Sequence, residues 1–540
     1  MGIKRYTANA DTTITNAYQS NLTIRGTGSN MGRADSLEVF SIYAQESTGS
    51  SELSRILINF PVTSISNDRA NGIIPASGSV SFYLRMFNAV TPFTVPRDFT
   101  LVAAAVSGTT GGPDFNWQEG NGIDMENYTD VTRGGIGANW INMGSSSADG
   151  IITWGNQASP SVGGVYYSDA SSSFTQVFDN GTEDLEIDIS SLVEQWLDSS
   201  GNVLGSKPAY GIGVHLTASQ EVYMAAVDAT TNTPANPQGA RRSYYTKKFF
   251  ARSSEFFYKR PVIEARWNSS QKDNRGNFFY SSSLATGDEN MQTLFMYNYF
   301  RGRLRNIPNI TNDLVYVAFY SGSANNSEPA GSPLELVKDG SSVVNGNLYV
   351  TGGVTTTAGI YTASVCLTAA ATPLETIFDV WHGAYGNDPN LIQTVGFTGS
   401  FNPEKISLGT QNDSETFVTT VKNLKPVYKT SETARFRVFT RQKGWNPNIY
   451  TKAVATIPPF VIESGSYAIT RVIDEVQAIP YGTGSDSSTQ MSYDVSGSYF
   501  DVDVSLLEPG YAYKINFAYY NGSIGDWEEQ PQEFKFRVEE

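Results

Sequence analysis

One cysteine, Cys366, and two histidines, His215 and His382, are all that this 540-residue chain carries of the side chains most used for crosslinks, zinc sites and proton transfer near neutral pH. A lone cysteine excludes an intrachain disulfide framework and any Cys-based zinc site. Two histidines far apart leave little for a His-based acid–base or multi-His metal centre. Cys366 ends the alternating stretch Tyr361-Thr362-Ala363-Ser364-Val365-Cys366 and reads as a small buried hydrophobe. His215 lies inside the strand-like Gly211–Leu216 run, and His382 follows Asp379-Val380-Trp381; both read as structural. No Gly-x-Ser-x-Gly elbow, Walker loop or EF-hand loop occurs. Long apolar runs are missing too. The longest, Leu101–Val106, is far too short to span a bilayer, and Met1–Asn16 has no apolar stretch of signal-peptide length. Neither Sec export nor membrane embedding is expected.

Charge is scarce, at 17% of residues, and one-sided: 37 Lys and Arg against 53 Asp and Glu give −16. A general nucleic-acid binder needs cations against phosphate, so that class is not expected. One stretch departs from this balance. Arg241–Arg266 carries eight basic side chains against Glu255 and Glu264, interleaved with Tyr and Phe, and Arg301, Arg303 and Arg305 follow beside Tyr297, Tyr299 and Phe300. Two readings stand: strands with basic residues outward and aromatics inward, or a docking surface for an acidic neighbour. Arg and Tyr are enriched in interface hot spots. The candidate interface residues are therefore Arg241, Arg242, Lys247, Lys248, Arg301, Arg303 and Arg305.

What is abundant is the composition of β proteins: 40% hydrophobic and 12% aromatic residues, in short alternating runs broken by Gly, Pro, Asn and Ser. Strands are expected at 37–43, 55–60, 79–86, 99–105, 211–216 and 315–320. A single helix is expected over 190–197, with Leu192, Val193 and Trp196 on one face and Ser191 and Glu194 at capping-box spacing. The predicted architecture is all-β, with several β-sandwich domains in series and a large N-terminal jelly-roll-like sandwich holding that one short helix. Composition shifts place domains at 1–267, 311–399, 400–461 and 462–540, with an aromatic and basic connector over 268–310.

Within residues 1–267, Ala10-Asp11-Thr12-Thr13-Ile14, Asn30-Met31-Gly32, Ser36–Val39, the Arg-led Ser54–Phe60 and Val80–Leu84 stand in sequence. They are followed by Trp117–Gly120, Asn139-Trp140, Ile187–Leu197 and Tyr210–Val214. This ordered series resembles the DNRLRE-type, disaggregatase-related family of carbohydrate-binding β-sandwiches. Val80 and Phe82 replace the family's usual Ala and first Leu. The resemblance implies a sandwich fold, and fold does not by itself carry function. The whole chain, including Arg242–Arg252, Arg301–Pro308 and Thr433–Arg441, is similar to large structural proteins of marine tailed bacteriophages, which implies a virion component.

Two functions follow as expectations. The first is a non-enzymatic virion structural protein, in the neck, tail or baseplate or decorating the capsid, whose partners are other virion proteins and copies of itself. The alternative is a glycan-binding host-adhesion protein, in which Trp117, Trp140 and Trp154, set in Gly- and Asn-rich loops, stack on a host-surface sugar or else cap the sandwich core. No catalytic residue, metal or cofactor is expected. The carboxylate pairs Glu119 with Asp124 and Asp179 with Asp184 lie in turn-like segments, and the Asp179–Asp184 loop reads as a solvated turn before a calcium site.

Overall fold

The computed structural model describes the chain apart from residue 1 and 44–50, 91–96, 108–115, 132–136, 147–149, 157–158, 199–202, 230–231, 243, 283–285, 287, 309, 311–313, 337–342, 345–347, 356, 369–373, 385–391, 405–415 and 445–458. It is all-β, with sandwich units in series, and divides into two compact units, Gly2–Trp267 and Asn268–Glu540. No helix among the described residues is long and apolar enough to cross a membrane.

In Gly2–Trp267 a four-stranded antiparallel sheet runs Ile3–Thr7, Val262–Arg266, Ser81–Met86, Leu185–Asp188. It faces a larger sheet ordered Ser173–Phe178, Phe99–Ala105, Ile212–Leu216, Ser51–Asn59, Ser36–Tyr43, Tyr244–Phe250, with Ala10–Thr15 also paired to Ser51–Asn59. Period-two alternation sends Leu37, Val39, Ile56, Ile58, Leu101 and Ala103 of the large sheet against Phe82, Leu84, Ile263 and Ala265 of the small one. The helix Ser190–Leu197 (α2) packs Leu192, Val193 and Trp196 into this core, as its periodicity indicates. Its capping box does not form: Ser191 bonds Ser171 O, and Glu194 is taken by Arg69. Asp188 instead accepts the Ser190 N–H at 2.9 Å.

A second helix, Val62–Ala70 (α1), was not expected. It has β-branched and polar residues and no amphipathic stripe; Ile65 is its one buried residue. What holds it is tertiary, a two-pronged Arg69–Glu194 pair at 2.7 and 2.6 Å to α2.

The large sheet is covered on both faces. On the face away from the small sheet, Ile14, Leu53 and Leu57 pack under a layer of Trp117, Trp140, Met143, Ile152 and Trp154. Part of that layer is the three-stranded sheet Asn142–Ser146, Gly150–Asn156, Ser159–Ser161. A strand apolar on both faces reads as a continuous run, which Ile56-Leu57-Ile58 is.

The second unit corrects the expected domain divisions. Segment 268–310 is not a free connector: Gln292–Tyr297 is the edge strand of a sheet ordered onward Ile360–Val365, Tyr349–Val354, Leu314–Gly322, Ile377–Ala384, Ile392–Phe401, and Phe278, Leu294 and Met296 join its core. Alternation within Gln292–Tyr297 is the physical reason, since it gives the segment a buried face. The expected start of this domain near 311 lies outside the described residues. Nor do 400–461 and 462–540 separate. Thr433–Gln442 pairs with Gly497–Asp503, and Val427–Lys429 lies parallel to Phe534–Glu539. Between the two sheets so formed, Phe436 and Phe500 meet Tyr467, Phe517 and Phe536, with Tyr467 stacked 4.0 Å from Phe500. One interleaved sandwich results.

Candidate interaction surface

The three tryptophans expected in loops are core residues. Trp140 and Trp154 have no exposed surface and Trp117 has 4%. Each indole N–H donates to a backbone carbonyl: Trp117 to Tyr210 O (2.7 Å), Trp140 to Asn232 O (2.7 Å) and Trp154 to Asn139 O (2.9 Å). Their polar ends are satisfied and their faces are packed, so they offer no stacking platform to a sugar. This corrects the glycan-site expectation; the physical reason is the second apolar face of the large sheet. Arg55 sits beneath the same layer, bonded to Glu221 at 2.9 and 2.7 Å and 5.5 Å from the Trp140 ring.

The basic stripe is mostly neutralised within its own unit. Lys247 is buried and corrects the interface expectation outright: its Nζ donates to Asn88 Oδ1 (2.7 Å), Glu183 O (2.6 Å) and Gly181 O (3.2 Å). Burial pulls it down to about 8 against the opposing pull of Asp184 and Glu183. That ammonium takes carbonyls of the Asp179–Asp184 loop, so the loop's oxygens are used by a lysine. Lys248 pairs with Glu38 at 3.5 Å, and Arg252 grips Glu119 at 2.8 Å. Arg241 and Arg242 stay at the surface, Arg241 lying 4.1 Å from the Tyr223 ring.

Arg301, Arg303 and Arg305 behave differently. They are exposed on and beside a hairpin, Tyr299–Phe300 paired with Arg303–Leu304 across an Arg301-Gly302 loop. Both loop residues have positive φ, +50° and +76°, as a two-residue hairpin whose turn follows the strand twist requires. Tyr299 and Phe300 are 61% and 53% exposed, and the Arg301 and Arg305 guanidinia lie 5.3 and 5.9 Å from the Phe300 ring. None of the three arginines forms an ion pair among the described residues. The base is clamped: Asn298 N donates to Gly359 O (2.8 Å), Gly359 N to Asn306 Oδ1 (2.7 Å) and Asn298 Nδ2 to Arg305 O (2.6 Å). Gly359 has φ +82°, and a Cβ there would stand 2.4 Å from Arg305 N.

No protein-family model matches this chain, and no curated protein matches it.

Sequence reasoning missed a buried carboxylate. Asp11, on Ala10–Thr15, accepts the Arg252 N–H on one oxygen at 2.5 Å, while its other oxygen is buried with no hydrogen-bond partner. Burial pushes it up to about 7, with Glu119 adding to the rise and Arg252 and Arg260 opposing it. No local sequence signal marks this, because Glu119 and Arg252 are over a hundred residues away. Glu119 is committed to Arg252, and Asp124 to Thr129, Asn127 and Glu126 of its own loop, so the two do not form a working pair. Among the described residues no three His, Cys, Asp or Glu side chains converge as metal ligands. His215 is drawn down by burial and bonds Leu216 O at 2.7 Å; His382 is likewise drawn down by burial.

A carboxyl whose folded pKa lies above its unfolded value stabilises while protonated. That contribution is complete below about 4 and disappears as pH rises through about 7. Asp11→Asn should therefore gain on the order of 1–3 kcal/mol over the wild type at pH 8 and little at pH 4. Thermal unfolding at several pH values measures this; parallel curves for the two proteins would refute it.

Proposed function

We propose that this chain is a non-catalytic structural subunit of a tailed-bacteriophage virion, in the neck, tail or baseplate or on the capsid surface. Its partners are other virion proteins and copies of itself. The observation that carries this reading is the clamped hairpin at Tyr299–Leu304, which holds arginines and aromatics in water without ion pairs among the described residues. Exposed aromatics beside unpaired arginines form a surface of the kind found at protein interfaces, and an isolated acidic subunit gains nothing by displaying it. The resemblance of the whole chain to phage structural proteins supports the virion as the place where it is covered. Stiff β units in series suit such a role because they present shape and contact area without moving parts.

The glycan-adhesion alternative loses its aromatic platform with Trp117, Trp140 and Trp154 in the core. The reading is tested on purified particles, in which the chain should occur at a fixed copy number.

A further inference from the structure

The second unit carries a surface opposite in charge to the hairpin and similar to it in aromatic character. A groove of about 870 Å³ opens between the Gly276–Phe279 segment, Phe417, Pro459–Ser464 and the hairpin-like Tyr519–Glu528 stretch. Its size is in the range of pockets that take a substantial ligand, roughly 300–1,000 Å³. Its walls present the partly exposed rings Phe279, Phe460 and Tyr520, at 38%, 38% and 48%. Three exposed carboxylates, Glu404, Glu463 and Glu528, line it, and among the described residues no Lys or Arg does. Lys272 is close enough to Glu463 to feel its charge, and against the three carboxylates it still leaves the described lining net negative. Glu463 and Glu528 are held in place by the amides of Asn277 and Asn521. Two of the three charges thus have an amide partner before anything binds.

We infer that the Tyr299–Arg305 hairpin of one copy seats in the anionic aromatic groove of a second copy. Charge complementarity names the occupant: Arg301, Arg303 and Arg305 face outward around Phe300, and Glu404, Glu463 and Glu528 surround Phe279, Phe460 and Tyr520. Each arginine is suited to a carboxylate fork and to an aromatic face at once. The hairpin is exposed and the groove open within the same chain, so neither is occupied by the other in cis. The clamp by Asn298, Asn306 and Gly359 pre-organises the hairpin, which lowers the ordering cost of docking. Hairpin into groove is a head-to-tail contact, which leaves one free hairpin and one free groove on each pair. It therefore propagates to a ring if the rotation closes and to a filament if it does not. The inference deepens the structural-subunit reading and rests on it for the expectation that copies meet at high local concentration.

The test uses the full chain and sedimentation or single-molecule mass measurement at low and high salt. Wild type should self-associate at low salt and weaken as salt screens the contact. The hairpin reversal Arg301→Glu/Arg303→Glu/Arg305→Glu and the groove reversal Glu404→Lys/Glu463→Lys/Glu528→Lys should each raise the dissociation constant by about a hundredfold or more, like charges then facing each other. An equimolar mixture of the two reversals should recover association, since every junction in it again joins opposite charges. That recovery also reports that both variants are folded. A wild type that stays monomeric, reversals that associate as wild type does, or a mixture that fails to recover while both variants melt at the wild-type temperature would each overturn the inference. A monomeric wild type that is still present at fixed copy number in particles would sink this contact alone; self-association of a chain absent from particles would sink the virion reading alone.

Discussion

Trp140→Ala is expected to unfold the first unit about 10 °C or more below the wild type, corresponding to a loss of about 3–5 kcal/mol. The ring is fully buried in the layer that covers the large sheet. Gly163 closes on it so tightly that a Cβ at that position would stand 2.7 Å from the indole. Removing the side chain leaves a cavity that backbone this closely packed cannot fill, and it strips Asn232 O of its donor at 2.7 Å. The Arg55 guanidinium loses the ring beside it as well, although its pair with Glu221 persists. A tryptophan on a sugar-binding surface would behave in the opposite way, with stability kept and binding lost. Differential scanning calorimetry separates the two: a transition moved by less than about 2 °C would place the ring outside the core.

Glu264→Gln should cost a similar amount by a different route. Glu264 sits in the middle of the small sheet on Val262–Arg266, with no exposed surface, and receives Arg85 at 3.0 Å, Arg266 at 3.2 Å and Arg5 at 3.5 Å. Although burial opposes its charge, Arg85, Arg5 and Arg266 hold its carboxyl down at about 2. Neutralising it leaves buried cations facing one another with Glu186 as the remaining carboxylate, a loss of about 3–5 kcal/mol at neutral pH. The sign with pH follows from the depressed pKa. Stability from Glu264 is fully present above its unfolded value near 4.5 and is lost as pH falls toward 2. The gap between Glu264→Gln and wild type should be widest at neutral pH and narrow progressively below about 4.5. A variant as stable as wild type at pH 7, or a gap that does not change on acidification, would contradict this account of the cluster.

Much of the strand framework was legible from short apolar-rich runs bounded by turn residues: Phe99–Ala105, Ser81–Met86 and Ile212–Leu216 stand where their patterns place them. The helix at Ser190–Leu197 was legible from three apolar residues on one face. Val62–Ala70 was not, because its helicity depends on Arg69 reaching Glu194, a contact 125 residues away in the chain. Of the two readings open for the tryptophans, the core holds, and for a readable reason. Ile56-Leu57-Ile58 is a continuous apolar run, and such a strand requires a second covering layer, which the aromatic loops supply. The basic stripe misled because local sequence shows a charge without its partner: Glu119 for Arg252, or the carbonyls of Gly181 and Glu183 for Lys247, are brought in only by the fold. The division at 461 was illegible for a similar reason, since Thr433–Gln442 finds its partner in Gly497–Asp503, with Gly465–Arg471, Gln477–Ile479 and Ser492–Asp494 lying between them in the chain.

The most direct measurement of the central claim is the copy number of this chain in gradient-purified particles, by quantitative mass spectrometry against a capsid protein of known count. A structural subunit predicts a constant small multiple of a symmetry number, unchanged by repeated washing at physiological salt and by the sugar composition of the host surface. A chain that is absent, varies between preparations or washes away would contradict it.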